Sequence, residues 1–411
     1  MDNVKIAMVA LGGYGNFYLA RLFSPEAQEI AGPFEFVAGI DPDPRGCRYL
    51  EVFEATGVPI YPDLDAFYAR DTADLVIIAA PIHLHLPFTR TALAHGANVL
   101  CEKPVAATIQ EARQMAEADA AAERFVAIGY QWSYAATMQA LKADIIAGVF
   151  GKPVRFRTKV LWPRTQSYYH RNTWAARKKT SGGSWVLDSP VNNATAHYLH
   201  NCFYVLGATR ETSARPVDVQ AELYRANDIE NYDTAALRCH TDDDVEVLFY
   251  TSHPVDQNIG PTLIYEFEDA VVHYGVTGGT EHRGDTVVAT FKDGRVKDYG
   301  NPFADDATKL WDAMDAVRTG APLACGVDAA MSHTLAVNGA QESMADIVDF
   351  PEDVILLQEQ DEDVLVYVDG LVGALERCYD AGVLPSELGT LPWAKAGEVV
   401  DLRGYLRFPS S

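Results

Sequence analysis

Five short apolar runs fall in the first third of the chain, at residues 4–11, 34–40, 75–80, 98–101 and 125–128, rich in β-branched residues and without polar alternation. A strand that is apolar at every position is covered on both faces, which is the condition of a strand inside a parallel sheet. Helical patterns separate the runs. One covers 86–95 and closes at Gly96; another covers 109–122 and opens at Thr108, with Glu111 three residues on, a capping-box spacing. Strand and helix in alternation predict an α/β, doubly wound parallel sheet.

The texture changes after about residue 130. Longer alternating stretches appear at 153–162, 217–224, 234–239, 245–252 and 263–274, and Lys292-Asp293-Gly294-Arg295 between Phe291 and Val296 is a hairpin signal. These predict a large, mostly antiparallel sheet. The last ninety or so residues return to helix, notably 329–347 and 364–381, with an acidic stretch at 358–363. The division expected is a dinucleotide-binding domain at 1–129 and a second α/β domain at 130–411 with a helical C-terminal tail.

Charge narrows the function classes. With 57 acidic against 33 basic residues the formal charge is -24, which argues against nucleic-acid or anionic-membrane partners, since both need a basic footprint. No window reaches the ~20 apolar residues of a membrane span, and the N-terminus lacks a basic region followed by a long apolar stretch. Six scattered cysteines without a C-x-x-C pair suggest neither a disulfide framework nor a metal site. A soluble, cytoplasmic protein with reduced thiols is expected.

The first strand runs into Ala10-Leu11-Gly12-Gly13-Tyr14-Gly15-Asn16, which opens a helix. Small residues there let backbone N–H groups close on a pyrophosphate at a helix N-terminus, where the dipole favours negative charge. Against G-x-G-x-x-G, Ala10 replaces the first glycine while Gly12 and Gly15 remain; the alternative is a tight turn without a ligand. Gly12, Gly13, Tyr14, Gly15 and Asn16 are the candidate cofactor contacts. The second strand ends at Asp41, whose carboxylate suits the hydroxyls of an adenosine ribose and repels a 2′-phosphate, so NAD is expected rather than NADP, although Arg45 would answer that phosphate.

The fourth of these strands, by contrast, ends in Glu102-Lys103-Pro104, so its end no longer serves a core. Ligands of doubly wound sheets bind at the carboxyl ends of the strands, which puts Lys103 at the same edge as the glycine turn and Ala80-Pro81-Ile82-His83-Leu84-His85. The plain alternative is a structural ion pair of Lys103 with Glu102 or Asp63. The glycine turn, "AAPIHLHLPFTRTALAHGANVLCEKP" and "GYQWSYAATMQALKADIIAGVFGKPVRF" together resemble the Gfo/Idh/MocA family of NAD(P)-dependent oxidoreductases of sugars and polyols, over residues 4 to about 345. The resemblance implies a Rossmann first domain, a second domain whose open sheet pairs subunits as a homodimer or homotetramer, and a carbohydrate substrate. It implies that Lys103 lies by the nicotinamide and contacts the reacting oxygen, where a cation stabilises alkoxide-like charge. It also implies cofactor contacts at Ala80, Pro81, His85, Glu102 and Gln131. Ala80 stands where the family has threonine and Ile82 where it often has asparagine; a helix-end structural role is the alternative for His85. The family's frequent arginine near Gln131 is absent.

Family members carry G-G-G-x-x-x-D-x-x-x-H at the start of a helix that faces the nicotinamide, with aspartate and histidine one turn apart on one face. Two registers fit: anchored on Gly182-Gly183, Asp188 is the aspartate and Asn192 replaces the histidine; anchored on Leu206-Gly207, Asn193 and His197 take those places. An asparagine cannot act as a base, so the expected site contains Asp188 holding Lys103 or substrate, Asn192 or Asn193 on a hydroxyl, and His197 as general base, with His200 as its alternative. Residues 162–179 hold Trp162, Arg164, Tyr168, Arg171 and Trp174, aromatic faces and guanidinium groups suited to a ring with hydroxyls and to a carboxylated or phosphorylated sugar. The reaction expected is reversible oxidation of a secondary alcohol of a sugar, sugar acid or polyol. The alternatives are a redox-neutral glycosidase using transient oxidation and a non-catalytic NAD sensor, which would lack Lys103.

Overall fold

A computed structural model describes residues 3–275 and 285–409. The chain divides into two compact units: 1–106, 110–135 and 303–331 form the first, and 107–109, 136–302 and 332–411 the second. Residues 303–331, which the sequence division leaves with the second domain, therefore return to the first.

The first unit is built on six parallel strands, β1 (Val4–Val9), β2 (Phe34–Ile40), β3 (Ile60–Tyr61), β4 (Leu75–Ile78), β5 (Asn98–Cys101) and β6 (Val126–Ile128), in the order β3-β2-β1-β4-β5-β6. Reversal of direction at β1 makes this a doubly wound sheet, and β4 and β5 are buried at every position, as unalternating runs require. The register pairs Val9 with both Ile40 and Ile78, and Ile78 with Cys101. The residues after β1, β2, β4 and β5 thus leave the sheet level with one another at its carboxyl edge. The helix Thr308–Thr319 packs Leu310, Ala313 and Met314 into the core with Met8, Leu19, Ile77 and Leu100.

The second unit carries β7 (Pro153–Leu161), β8 (Pro216–Arg225), β9 (Thr234–Thr241), β10 (Glu246–Ser252), β11 (Ile259–Phe267), β12 (Ala270–Tyr274), β13 (Val287–Phe291), β14 (Val296–Gly300) and β15 (Val348–Asp349). Their order is β14-β13-β12-β11-β7-β10-β9-β8-β15, antiparallel except where β10 meets β7 and β15 meets β8. The single alternating stretch expected at 263–274 is two strands, parted at Glu268-Asp269.

The tail departs from its expected all-helical form. Asp363–Val368 is a strand, β17, paired with β16 (Ile355–Gln360), and helix begins only at Leu371. Val364, Val366 and Val368 recur with period two and β-branching, while Gly370 at φ 69 separates the strand from the helix. The helix Leu371–Ala381 lies on one face of the sheet. Arg157 donates to the carbonyls of Tyr379 and Asp380 at 2.6 and 2.8 Å, capping the helix end, and Lys159 meets Glu376 at 2.9 Å. Cys378, Tyr379 and Leu384 join Ala236, Leu248 and Tyr250 in one apolar cluster. That face is therefore not open over β7, β9 and β10.

Candidate functional site

Ala10 has φ 67, a left-handed value that glycine meets without a Cβ penalty, so the chain keeps the turn geometry where the first glycine is missing. Gly15 permits the close approach of helix to strand: a Cβ there would stand 2.2 Å from the Ala10 carbonyl oxygen. The helix Gly15–Leu22 follows, and among the described residues the N–H groups of Gly12, Gly13 and Tyr14 have no protein acceptor. Donors left unpaired at a helix N-terminus are the chemistry a pyrophosphate needs.

Asp41 joins this turn to the end of β2. Its Oδ2 accepts from the Leu11 N–H at 2.8 Å and its Oδ1 from the Asp43 N–H at 2.9 Å. A carboxylate has about four lone-pair sites, so two remain for ribose hydroxyls. Arg45, the residue that would answer a 2′-phosphate, is engaged by the Asp43 carboxylate, which its guanidinium holds below the usual range. Asn16 faces inward: its amide donates to the carbonyls of Gly13 and Gly46 and accepts from the Arg48 N–H at 2.7 Å, tying the loop after β2 to the glycine turn.

Glu102 also turns inward. Its carboxylate pairs with the fully buried Lys309 and accepts from the Tyr18 hydroxyl at 2.5 Å; Lys309 donates further to the Gly129 carbonyl and the Tyr14 hydroxyl, each at 3.2 Å. A Cβ on Gly129 would sit 2.6 Å from Glu102 Oε1, so glycine there makes room for the pair. Burial pushes the Lys309 ammonium pKa down while Glu102 opposes the shift. The carboxylate expected at the cofactor is instead the counter-ion of a buried cation, because an unpaired charge at that depth is costly. Sequence reasoning missed Lys309, although a lysine beside Leu310 on a helix face with Ala313 and Met314 was a signal.

Lys103 is half-buried at the carboxyl edge, its own N–H donating to Glu102 Oε2 at 3.2 Å. Of the two carboxylates named as its structural partners, Glu102 pairs with Lys309, and Asp63 caps the helix Leu64–Tyr68 through the Ala66 N–H at 2.7 Å. Two strand spacings, about 10 Å, separate β5 from β1 and hence Lys103 from the glycine turn. His85 takes the structural alternative: Nδ1 lies 2.8 Å from the Pro104 carbonyl and Nε2 2.9 Å from the Ala80 carbonyl, and burial lowers its pKa. Each ring nitrogen faces a backbone carbonyl, one after β4 and one after β5, and the neutral imidazole donates its single N–H to one of them, so His85 is lodged between the two strand ends. Ala80 is buried, Pro81 half-buried at the same edge, and Gln131 begins a short helix after β6.

In the second unit Asp188 is buried and its carboxylate is fully engaged. Oδ2 accepts from Arg171 at 3.1 Å and from the Ala176 N–H at 2.6 Å; Oδ1 accepts from the Asn193 amide at 2.7 Å. Ala176 and Leu187, which flank this network, stand at φ 55 and 48, strained values for residues with a Cβ. Asn192 is fully buried and donates to the carbonyls of Val186 and Leu187, which removes it from any surface. Asn193 and His197 are half-buried, and His197 lies in the first turn of the helix Ala196–Val205. The segment 188–195 is turn rather than helix, so no single helix face unites Asp188 with these residues. His200 is a core residue, 1 % exposed, with burial pushing its pKa well below the usual range.

Around Tyr168 the expected aromatic and guanidinium groups do converge. Arg171 lies 3.9 Å over its ring and 5.5 Å from that of Trp174, and Arg164 lies 5.1 Å from Tyr168 and 5.7 Å from Trp162. Trp162 packs edge-on against Tyr198, beside His197. The imidazole of His253, absent from the sequence reading, stands edge-on to Tyr168 at 5.5 Å.

A doubly wound parallel sheet with unpaired N–H groups in a glycine turn and an acid after β2 defines a domain of the dinucleotide-binding class. Residues 4–130 match GFO_IDH_MocA, the oxidoreductase family with an NAD-binding Rossmann fold. The chain is 30% identical over 199 residues, 48% of its length, to inositol 2-dehydrogenase of Rubrobacter xylanophilus, and spans 50% of that protein. Among solved structures it resembles an oxidoreductase from Agrobacterium radiobacter in complex with NAD+, L-tartaric acid and magnesium (TM-score 0.66, 18% identity, 84% of this chain and 97% of that one). It also resembles the WlbA dehydrogenase from Bordetella pertussis in complex with NADH and UDP-GlcNAcA (TM-score 0.66, 20% identity, 83% and 97%). Over residues 4–130 the chain is similar to the Gfo/Idh/MocA oxidoreductases, whose model describes an NAD-binding Rossmann fold.

Proposed function

We propose that the chain is an NAD-dependent dehydrogenase that moves a hydride between nicotinamide and a carbinol carbon of a sugar, sugar acid or polyol. The observation that carries this reading is the placement of Lys103 level with the glycine turn at the carboxyl edge of one parallel sheet. The name of the Rubrobacter relative, inositol 2-dehydrogenase, supports the reaction class.

Bound NAD supplies the hydride acceptor. Backbone N–H groups at 12–14 hold its pyrophosphate, and the Asp41 carboxylate takes the ribose hydroxyls and disfavours a 2′-phosphate. The Lys103 ammonium stabilises negative charge on the carbinol oxygen as the carbon is oxidised, and His197 accepts the hydroxyl proton. Asn193, rather than the buried Asn192, binds a substrate hydroxyl, and Asp188 holds Asn193 and Arg171 in place. Trp162, Arg164, Tyr168, Arg171 and Trp174 receive the rest of the substrate.

Subunit pairing through the second sheet belongs to the same reading. It is confined to what the C-terminal helix leaves uncovered, where Ile264, Glu266, Val271, His273 and Lys292 line a concavity of about 700 Å³. Among the described residues no helix is long and apolar enough to cross a membrane, and a cytoplasmic location is proposed with the redox role. NADH formation, followed by absorbance across a panel of inositols, aldoses, uronic and aldonic acids with the full chain and NAD, is expected with at least one member. No signal in either direction with any member would refute the dehydrogenase.

A further inference from the structure

Three charged groups surround Tyr168, and they do not balance. Arg171 is paired with Asp188, whereas Arg164, half-buried, donates to the carbonyl of its neighbour Pro163 at 3.0 Å and to the Tyr168 hydroxyl, and forms no ion pair among the described residues. In a chain with a formal charge of -24, a half-buried guanidinium left without a carboxylate is an open demand for an anion. A second, independent observation lies beside it. His253 is 1 % exposed; its Nδ1 is 2.9 Å from the Trp162 carbonyl, and its Nε2 is buried without a hydrogen-bond partner. Burial and the two nearby guanidinium groups lower its pKa to about 3. The ring is therefore neutral, Nδ1–H donates to Trp162, and Nε2 is an acceptor awaiting a donor.

The loop carrying Arg164 is also held from outside. Asp363 of β17 accepts from the Ser167 N–H at 3.2 and 3.3 Å, and Thr165 bridges to Leu365. Hydrogen bonds from Ser167 and Thr165 pull the Asp363 pKa down to about 2, so this clamp stays ionised at any working pH. The C-terminal hairpin thus fixes the backbone on which Arg164 and Tyr168 stand, the preorganisation a binding site requires.

We propose that Arg164, with Tyr168 and His253, forms a subsite for an oxyanion, a carboxylate or a phosphate, on a hydroxylated substrate, with Arg164 on the anion and His253 Nε2 accepting from a neighbouring hydroxyl. The inference rests on the dehydrogenase reading only in treating this loop as the substrate's; it narrows the substrate class to an acidic sugar.

The test is calorimetric titration of the full chain, saturated with NAD, with D-glucuronate, D-glucose 6-phosphate and D-glucose, for wild type, Arg164→Gln and Arg164→Lys. One of the two anions is expected to bind at least about tenfold more tightly than D-glucose, and which one tells carboxylate from phosphate. Arg164→Gln abolishes that preference and Arg164→Lys restores part of it, since the charge returns without the planar fork. Because the bonds of Arg164 lie within its own loop, to the Pro163 carbonyl and the Tyr168 hydroxyl, circular dichroism of Arg164→Gln should match wild type. Equal affinity for all three probes, or a preference that survives Arg164→Gln, overturns the subsite. NADH formation is read separately: turnover of neutral polyols with no anion preference refutes the subsite alone, whereas Arg164-dependent anion binding with no turnover of any compound refutes the dehydrogenase alone.

Discussion

Glu102 and Lys103 are adjacent in sequence and opposite in role. The carboxylate points back into the first unit to neutralise Lys309, and Lys103 is half-buried just after β5 at the carboxyl edge of the sheet. A buried pair is strongly destabilising to break from one side and close to neutral to remove from both. Glu102→Gln and Lys309→Met should each lower stability by about 3–5 kcal/mol in urea unfolding, and the double variant should recover most of the loss. Additive losses would show that the two side chains do not act as a pair. Sequence exposed Lys103 through its position after an apolar strand, and it exposed the glycine turn and Asp41 through spacing. It did not expose the direction of Glu102, because that is set by a lysine 207 residues further on. Asn16, Asn192 and His85 were chosen for their chemistry, and their partners are backbone groups that no side-chain pattern records.

At the scale of elements, the parallel strands were readable because burial on both faces leaves few polar positions, Lys5 and Glu35 near the strand starts being exposed exceptions. The tail was not. Its β17 strand and its helix are both apolar, and only Gly370 and the alternation of Val364, Val366 and Val368 separate them. The helix Thr308–Thr319 is amphipathic, yet nothing in its sequence says that its apolar face belongs to a core begun three hundred residues earlier. The helix Leu371–Ala381 is the element with most consequence for assembly, because it covers sheet that the family resemblance leaves for another subunit. Leu375, fully buried against Leu161 and Tyr224, should lose about 2–5 kcal/mol on Leu375→Ala, measured by urea denaturation. A change within 1 kcal/mol would mean that the helix is only loosely seated.

Across the whole molecule, the first unit is assembled from the N-terminal third and the returning segment Phe303–Met331, and its Rossmann architecture follows from patterns visible in 130 residues. The second unit holds Asp188, Asn193, His197 and the Arg164 loop, and the roles proposed for them were less readable because the glycine and histidine spacing departs from the family's. The central claim is that Lys103 acts on the reacting oxygen while the cofactor is held by other groups. The direct test is Lys103→Met, comparing NAD affinity by calorimetry with NADH production on the best substrate of the panel. The account predicts a fall in kcat of roughly 10²–10⁴-fold with the NAD Kd unchanged within about threefold. Unaltered turnover, or loss of NAD binding in step with turnover, would contradict it.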